Sequence, residues 1–186
     1  CTVGYACMIL KRVFDIFFFF FGLILLSPFM VIIAVAILID SRGPIFFRQE
    51  RIGLGLAPFR IHKFRTMHSV QRFEGPQITI GKDPRITRVG HFLRASKLDE
   101  LPQLIDVFVG DMSIVGPRPE VPRYVDYYPD EMKRVIFKVR PGITDEASIN
   151  FINESELLAG QEDPEVFYIE KILPIKNRYN RHYVEN

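Results

Sequence analysis

Tryptophan is absent from the 186 residues, and cysteine nearly so, with two at positions 1 and 7. Two thiols at the extreme N-terminus exclude a disulfide-stapled scaffold and are read as free, without metal or redox work. The four histidines (His62, His68, His91 and His182) lack metal-ligand spacing, so ordinary structural roles are expected of each. No internal repeat is found, which excludes a repeat array. Net charge is scarce as well: 24 Lys and Arg against 22 Asp and Glu leave +2. What is present excludes a disordered chain, because 48% of residues are hydrophobic and 25% charged. The length suits one domain, or a domain with an appendage.

Phenylalanine is abundant at 17, and Phe17 to Phe21 is an unbroken run. It belongs to a segment, Ile16 to Ile39, of 24 residues without a charge. Lys11, Arg12 and Asp15 precede this segment; Asp40 and Arg42 follow it. As one straight helix it would be about 36 Å long, enough to cross a bilayer core of about 30 Å. A cleaved signal peptide does not fit, since the run passes into the turn Asp40-Ser41-Arg42-Gly43-Pro44 instead of a small-residue cleavage site. A buried core helix does not fit an uncharged run of this length. Ser27-Pro28 stands at its middle, with eleven apolar-run residues on either side. Each half would be about 16 Å as helix, roughly half the bilayer core. Proline removes an N–H and clashes with the carbonyl four residues back, so a bend is expected. Two readings remain: a kinked span, the plainer one, or a helix–break–helix hairpin that returns to the face it entered. Basic residues on both flanks do not choose between them.

The near-neutral total conceals an asymmetry. Residues 40–100 are net +6 and residues 101–186 net −5. A basic segment directly after a membrane anchor favours an anionic surface or substrate. Pro44 to Gln49 and Phe59 to Phe64 read as two short strands, joined through Gly53, Gly55 and Pro58 as a hairpin. Ser69 to Lys82 has no period and reads as loop. Helices are expected over Thr87–Ala95 and Leu101–Val109, the latter ended by Gly110 and followed by the rigid turn Gly116-Pro117-Arg118-Pro119. Val121 to Arg140 is partly helical with breaks at Pro122 and Pro129, and Glu165 to Tyr183 is helical with an interruption at Pro174. The fold class that follows is α+β, mostly helical, with few strands.

Chemistry concentrates between Lys82 and Leu104. Pro102 is tolerated in a first helical turn, which places Asp99-Glu100 at the start of the following helix. The plain reading of such a pair is a cap. The chemical reading divides the roles: one carboxylate attacks phosphorus, the other holds a divalent cation. Arg85, Arg88, Arg94 and Lys97 would supply cations to the same phosphates.

An ordered set of motifs then points to a family. Lys11-Arg12-Val13-Phe14-Asp15 before an apolar run broken at Ser27-Pro28 resembles the start of the bacterial sugar transferases, the monotopic phosphoglycosyl transferases. Lys63-Phe64-Arg65-Thr66-Met67, Asp83-Pro84-Arg85-Ile86-Thr87 and Leu98-Asp99-Glu100-Leu101-Pro102-Gln103-Leu104 match in turn. Gly110 to Pro119 and Val139 to Thr144 complete the resemblance, which covers roughly residues 8 to 146. It implies transfer of a sugar-1-phosphate from a UDP-sugar to polyprenol phosphate, such as undecaprenyl phosphate, with release of UMP. This would be the first membrane step of glycoconjugate or exopolysaccharide assembly. By resemblance, Asp99 is the nucleophile that forms a covalent phosphosugar–aspartyl intermediate, and Glu100 helps bind Mg2+. Arg94 and Arg118 would contact phosphate, and Lys63 and Arg85 join them as substrate-binding residues. The resemblance favours the hairpin anchor. The expected organisation is a re-entrant anchor over residues 8–40 and a cytosolic catalytic domain over 41–186, on the inner face of a bacterial cytoplasmic membrane. Membrane lipid and a second copy of the chain are candidate partners, and nucleic acid is not one.

The chain also departs from the family. After Ile143-Thr144 many members continue Gly, a bulky residue and Ala-Gln-Val-Asn-Gly-Arg, where this sequence has Asp145-Glu146-Ala147-Ser148-Ile149-Asn150. Near the C-terminus Asn180 stands where members often carry Asp, so no role is transferred to it. Met8 is a candidate natural start, and members commonly continue past a stretch like Tyr183-Val184-Glu185-Asn186, so either the end is short or further residues follow. Two rival functions remain: a membrane-bound protein that holds anionic lipid or nucleic acid through residues 42–97 without turnover, and a hydrolase of the same diphosphate bond.

Overall fold

The computed structural model describes residues 2–68, 78, 80–81 and 83–185, with side chains from Leu10 onward. Most of the loop expected over Ser69 to Lys82, together with Cys1 and the side chain of Cys7, lies outside the described residues. Helix α1, Thr2–Asp40, contains the whole apolar segment and carries Pro28 inside it. Its stretch Leu10–Asp40 is long and apolar enough to cross a membrane. The Ser27 hydroxyl donates to the carbonyl of Ile24 at 3.1 Å, beside the proline that withholds an N–H. Phe17, Phe18, Phe20 and Phe21 are exposed, whereas Phe19 is buried and stacks on Phe108 with ring centres 4.5 Å apart. One narrow face of α1 is thus covered by the rest of the chain, and the remainder is bare hydrocarbon. In water that bare surface would cost far more than a folded domain gains, so it belongs in lipid.

Strands β1 (Phe46–Ile52) and β2 (Pro58–Phe64) form the expected antiparallel hairpin, pairing Phe46 with Phe64 and Ile52 with Pro58. The chain then enters α2 (Arg88–Ala95) through Thr87, whose hydroxyl accepts from the Gly90 N–H at 2.9 Å as an N-cap. Gly90 has a second reason to be glycine: a Cβ there would stand 2.1 Å from the Thr66 carbonyl oxygen, so α2 lies against the segment that leaves β2. Helix α3 (Gln103–Val109) ends at Gly110, whose φ of 104° is left-handed. Strand β3 (Ser113–Val115) pairs in parallel with β4 (Gly142–Thr144). The backbones touch just beyond this pair, where a Cβ on Gly142 would lie 2.1 Å from the Gly116 nitrogen.

The prolines of the middle region begin helices where the sequence suggested breaks. Pro122 opens α4 (Pro122–Val125) at its first position, and Pro129 immediately precedes α5 (Asp130–Ile136). A missing N–H costs nothing in a first turn, where it would have no partner. Helices α6 (Glu146–Asn150), α7 (Glu154–Ala159), α8 (Pro164–Phe167) and α9 (Leu173–Glu185) complete the described chain. A π-turn over Tyr168–Ile172 joins α8 to α9 just ahead of Pro174, so the interruption is a bulge that accommodates the proline.

Three apolar clusters hold these elements. The largest joins Val121, just before α4, and Tyr124 and Val125 within it to Ile136, Leu158, Tyr168, Ile172 and Leu173. A second places Ile33 and Ile37 of α1 on Phe64 and Leu93. The third sets Ile61 of β2 against Val107 of α3 and Met112. Strand β2 therefore lies between α1, α2 and α3, which fixes where its Lys63 points.

Candidate active site

Asp99 and Glu100 sit in a short 3-10 turn, Leu98–Glu100, ahead of α3 and separate from it. Lys97 enters this turn with φ at 59°, a left-handed conformation that a lysine adopts at a cost of about 1–2 kcal/mol. Neither carboxylate caps a helix, and both side chains are buried. The geometry therefore does not support the cap reading of the pair.

Glu100 collects the cations. Lys63 donates to its Oε1 at 2.7 Å, and Arg118 grips both oxygens, through Nη1 to Oε2 at 3.2 Å and through Nη2 to Oε1. Asp99, one residue earlier, accepts no hydrogen bond from the described residues, although Lys63, Arg94 and Arg118 all act on its charge. Burial pushes the Asp99 carboxyl above its usual range, opposed first by Lys63; the charge of Glu100 adds to the rise, while Arg94 and Arg118 oppose it. Burial also acts on Glu100, but there Arg118 and Lys63 outweigh it and hold the carboxyl well below the usual range. Burial and the neighbouring Arg118 push the Lys63 ammonium down to about 8, against the pull of Glu100 and Asp99. The Arg118 guanidinium, buried though it is, is lifted above its ordinary value by Glu100. Two adjacent carboxylates thus occupy opposite states of readiness: one neutralised by hydrogen-bonded cations, the other near the same cations yet without a hydrogen bond from the described residues.

Each cation is carried by a different element. Lys63 is on β2, and that strand is pinned to α3 by the residue before it. The His62 N–H donates to Asp106 Oδ2 at 2.8 Å and its Nδ1 lies 2.6 Å from Oδ1. Arg94 is on α2, where its Nε donates to the Thr66 hydroxyl at 3.1 Å. Burial pulls its guanidinium below the ordinary value, with Asp99 and Asp83 opposing. Arg118 lies in the turn after β3. That turn is held from behind by Arg51, which donates to the Pro119 carbonyl at 3.1 Å and to Glu120 at 3.4 Å, while Tyr168 donates to the other oxygen of Glu120 at 2.7 Å.

Of the residues expected from sequence, Lys63, Arg94, Asp99, Glu100 and Arg118 form one charged group. Arg85 stands one step outside, its Nε 2.8 and 3.0 Å from the two oxygens of Asp83 and its Nη2 2.5 Å from Oδ2. Sequence reasoning missed Thr66, Asp83, Arg51 and Glu120. The spacing Asp83-Pro84-Arg85 could have announced the Asp83–Arg85 pair as a turn, but nothing links Arg51 to a residue 69 positions later. Asp145, in the loop that departs from the family, caps α6 through the Ser148 N–H and lies near enough to raise the Arg118 pKa.

A divalent cation can be tested against this donor set. Among the described residues no three His, Cys, Asp or Glu side chains cluster as a metal cage. Mg2+ does not need one, because it keeps waters and takes phosphate oxygens alongside one or two carboxylates. Glu100 Oε2 carries a single 3.2 Å bond and Asp99 none from the described residues, so the pair fits a cation completed by a diphosphate.

The chain as a whole is similar to known proteins. The chain is 46% identical over 145 residues to UDP-glucose:undecaprenyl-phosphate glucose-1-phosphate transferase of Caulobacter vibrioides, covering 75% of this chain and 53% of that protein. It is 40% identical over 167 residues to a protein of the same name from Escherichia coli K12, covering 88% of this chain and 36% of that one. A third relative, UDP-N-acetylgalactosamine-undecaprenyl-phosphate N-acetylgalactosaminephosphotransferase of Aeromonas hydrophila, is 42% identical over 142 residues, 75% of this chain and 34% of that protein. The chain thus spans from about a third to about half the length of these relatives. The family model described as bacterial sugar transferase matches residues 6–179. With a bare apolar helix at one end and two unlike carboxylates among three cations at the other, this membrane-associated chain belongs to the bacterial sugar transferase family.

Proposed function

We propose that the chain transfers a sugar-1-phosphate from a UDP-sugar to polyprenol phosphate through a covalent intermediate on Asp99. The observation that carries this reading is the contrast between the two carboxylates: Glu100 is bonded by Lys63 and Arg118, while Asp99 accepts no hydrogen bond from the described residues. An unbonded carboxylate keeps its lone pairs for attack on phosphorus. In the first step an Asp99 oxygen attacks the sugar-bearing phosphorus, the bond from that phosphorus to the bridging oxygen breaks, and UMP leaves with the electron pair. In the second, an oxygen of polyprenol phosphate attacks the same phosphorus and the Asp99 carboxylate departs, giving a polyprenyl diphosphosugar. Lys63, Arg94 and Arg118 balance the charge that gathers on the phosphoryl oxygens. Mg2+, held by Glu100, would neutralise the diphosphate and ease the departure of UMP.

The anchor belongs to the same reading: α1 runs as one helix through Pro28, and bent at that proline residues 8–40 would lie as a re-entrant hairpin at the cytosolic face of the bacterial inner membrane, with 41–186 the catalytic domain. Its support is that both polar ends of the apolar stretch are held by one domain. Arg12 donates to the Val107 and Phe108 carbonyls, while at the far end Asp40 accepts from the Val89 N–H and Arg65 donates to the Ser41 carbonyl. A straight span would put those ends on opposite sides of the bilayer, with about 30 Å of hydrocarbon between them. Single cysteines at positions 11 and 42, in a background without native cysteine, should label from the same side of sealed vesicles. Labelling from opposite sides would restore the span.

UMP release from UDP-glucose or UDP-N-acetylgalactosamine with undecaprenyl phosphate and Mg2+ tests the activity. Formation of a lipid-linked product is expected, and Asp99→Asn should abolish it. UMP and free sugar phosphate formed without any lipid product would make the protein a hydrolase.

A further inference from the structure

Basic residues beside an apolar helix ordinarily meet lipid headgroups. The charged turn at the start of the apolar segment is instead engaged with protein. Lys11 donates to the Val115 carbonyl at 2.7 Å and to the Tyr183 hydroxyl. Arg12 donates through Nη1 to the Val107 carbonyl at 2.5 Å and through Nη2 to that of Phe108 at 2.9 Å. Asp15, only 5% exposed, accepts from the Ser113 hydroxyl at 2.8 Å and the Ile114 N–H at 3.2 Å. One turn of α1 therefore grips two segments. Val107 and Phe108 close α3, whose lead-in carries Asp99 and Glu100, and Ser113–Val115 is β3, whose next turn carries Arg118. Between them the chain passes through Gly110, left-handed and without a side chain, a natural hinge that Arg12 flanks within 3.2 Å of its would-be Cβ.

We propose that Lys11, Arg12 and Asp15 form a positioning clasp that sets the Asp99-Glu100 turn in register with the Arg118 turn, so that the phosphate site is competent only while the membrane helix is seated. The proposal rests on the transferase reading given above. The bonds between Arg118 and Glu100 require the two turns to stay in register, and along the chain only the Gly110 corner joins α3 to β3. The clasp closes that corner from outside. Neither Asp15 nor Ser113 touches the reacting groups, so both are positioning residues. A shift of about 1 Å in a phosphate-binding group is enough to cost about a hundredfold in rate.

The test uses the full chain in vesicles of phosphatidylethanolamine and phosphatidylglycerol, as wild type, Asp15→Asn, Ser113→Ala and the double variant. Asp15→Asn should lower kcat for UMP release about 10- to 100-fold, change KM for the UDP-sugar less than about threefold, and leave flotation with vesicles intact. Ser113→Ala, a milder change that keeps the fold, should cost part of that, and the double variant no more than Asp15→Asn alone, because the two share one interaction. Amide exchange across residues 113–119 should quicken about tenfold in Asp15→Asn. Wild-type kcat and exchange in both single variants would overturn the clasp. So would a loss of turnover that merely follows a loss of vesicle binding, which would make the turn a lipid contact. If the wild type releases no UMP from any UDP-sugar, the transferase reading fails, and the exchange rates alone still decide the clasp: faster upholds it, unchanged overturns it.

Discussion

The Lys63–Glu100–Arg118 group makes a prediction with a sign for each partner. Lys63 has an ammonium pushed down to about 8 by burial and Arg118, with Glu100 and Asp99 pulling it back. Replacing Glu100 by Gln keeps the shape and removes the nearest counter-charge, which lies 2.7 Å away. Loss of a contact of that kind moves a pKa by roughly one to three pH units, each worth about 1.4 kcal/mol. The Lys63 midpoint should therefore fall to about 7 or lower in Glu100→Gln. Arg118→Ala should move it the other way, above 8, because a like charge has gone. Competitive acetylation across a pH series, read by mass spectrometry on the peptide containing Lys63, measures the midpoint directly. Exposed lysines, near about 10.4, serve as internal references. A midpoint that stays at 8 in both variants, or that moves in the same direction in both, would refute the electrostatic account of the site.

Other consequences follow from the same geometry. If Lys63 serves phosphate as a cation, as proposed, kcat/KM should fall as pH rises through about 8, and Lys63→Arg, which cannot lose its proton there, should remove that alkaline limb whatever its effect on the plateau. Gly142→Ala would drive a Cβ to within 2.1 Å of the Gly116 nitrogen, so the chain should lose about 3 kcal/mol or more, read as a fall in Tm of roughly 6–12 °C in detergent. Glu120→Ala removes the acceptor of the buried Tyr168 hydroxyl and the counter-charge of Arg51, which keeps its bonds to Pro119 and Gln49, and should destabilise by about 3 kcal/mol, with Arg118 loosened in consequence; unchanged melting would mean that this network does not support the turn.

Much of the architecture was legible where local chemistry dictates it. Thr87 before an apolar period announced α2, Gly110 announced the end of α3, and two β-rich runs around Gly53 and Gly55 announced the hairpin. The β3–β4 pair was not, because three-residue strands show no alternation and parallel partners nearly 30 residues apart leave no turn signal. Pro129 falls at a break between α4 and α5 as expected, whereas Pro122 was misread, because the meaning of a proline depends on whether a helix is beginning or under way. The candidate site residues, and a division of roles between Asp99 and Glu100, were read from motifs and resemblance, but the hydrogen bonding that sets the two carboxylates apart was not. That Glu100 is bonded by two cations while Asp99 accepts no hydrogen bond from the described residues depends on Lys63 and Arg118, brought from two other elements. The same holds for Asp15, a residue that reads in sequence as the flank of an apolar run and in three dimensions as an anchor of β3.

The claim on which all of this turns is a bond between Asp99 and phosphorus. It is tested most directly by mixing the protein with a UDP-sugar and Mg2+ in the absence of polyprenol phosphate, then measuring UMP and the mass of the Asp99 peptide. One UMP per chain should appear as a burst, with the peptide heavier by one sugar phosphate, and Asp99→Asn should give neither. UMP that forms only once the lipid acceptor is added, with no change in the peptide mass, would mean direct transfer between substrates and would contradict the account.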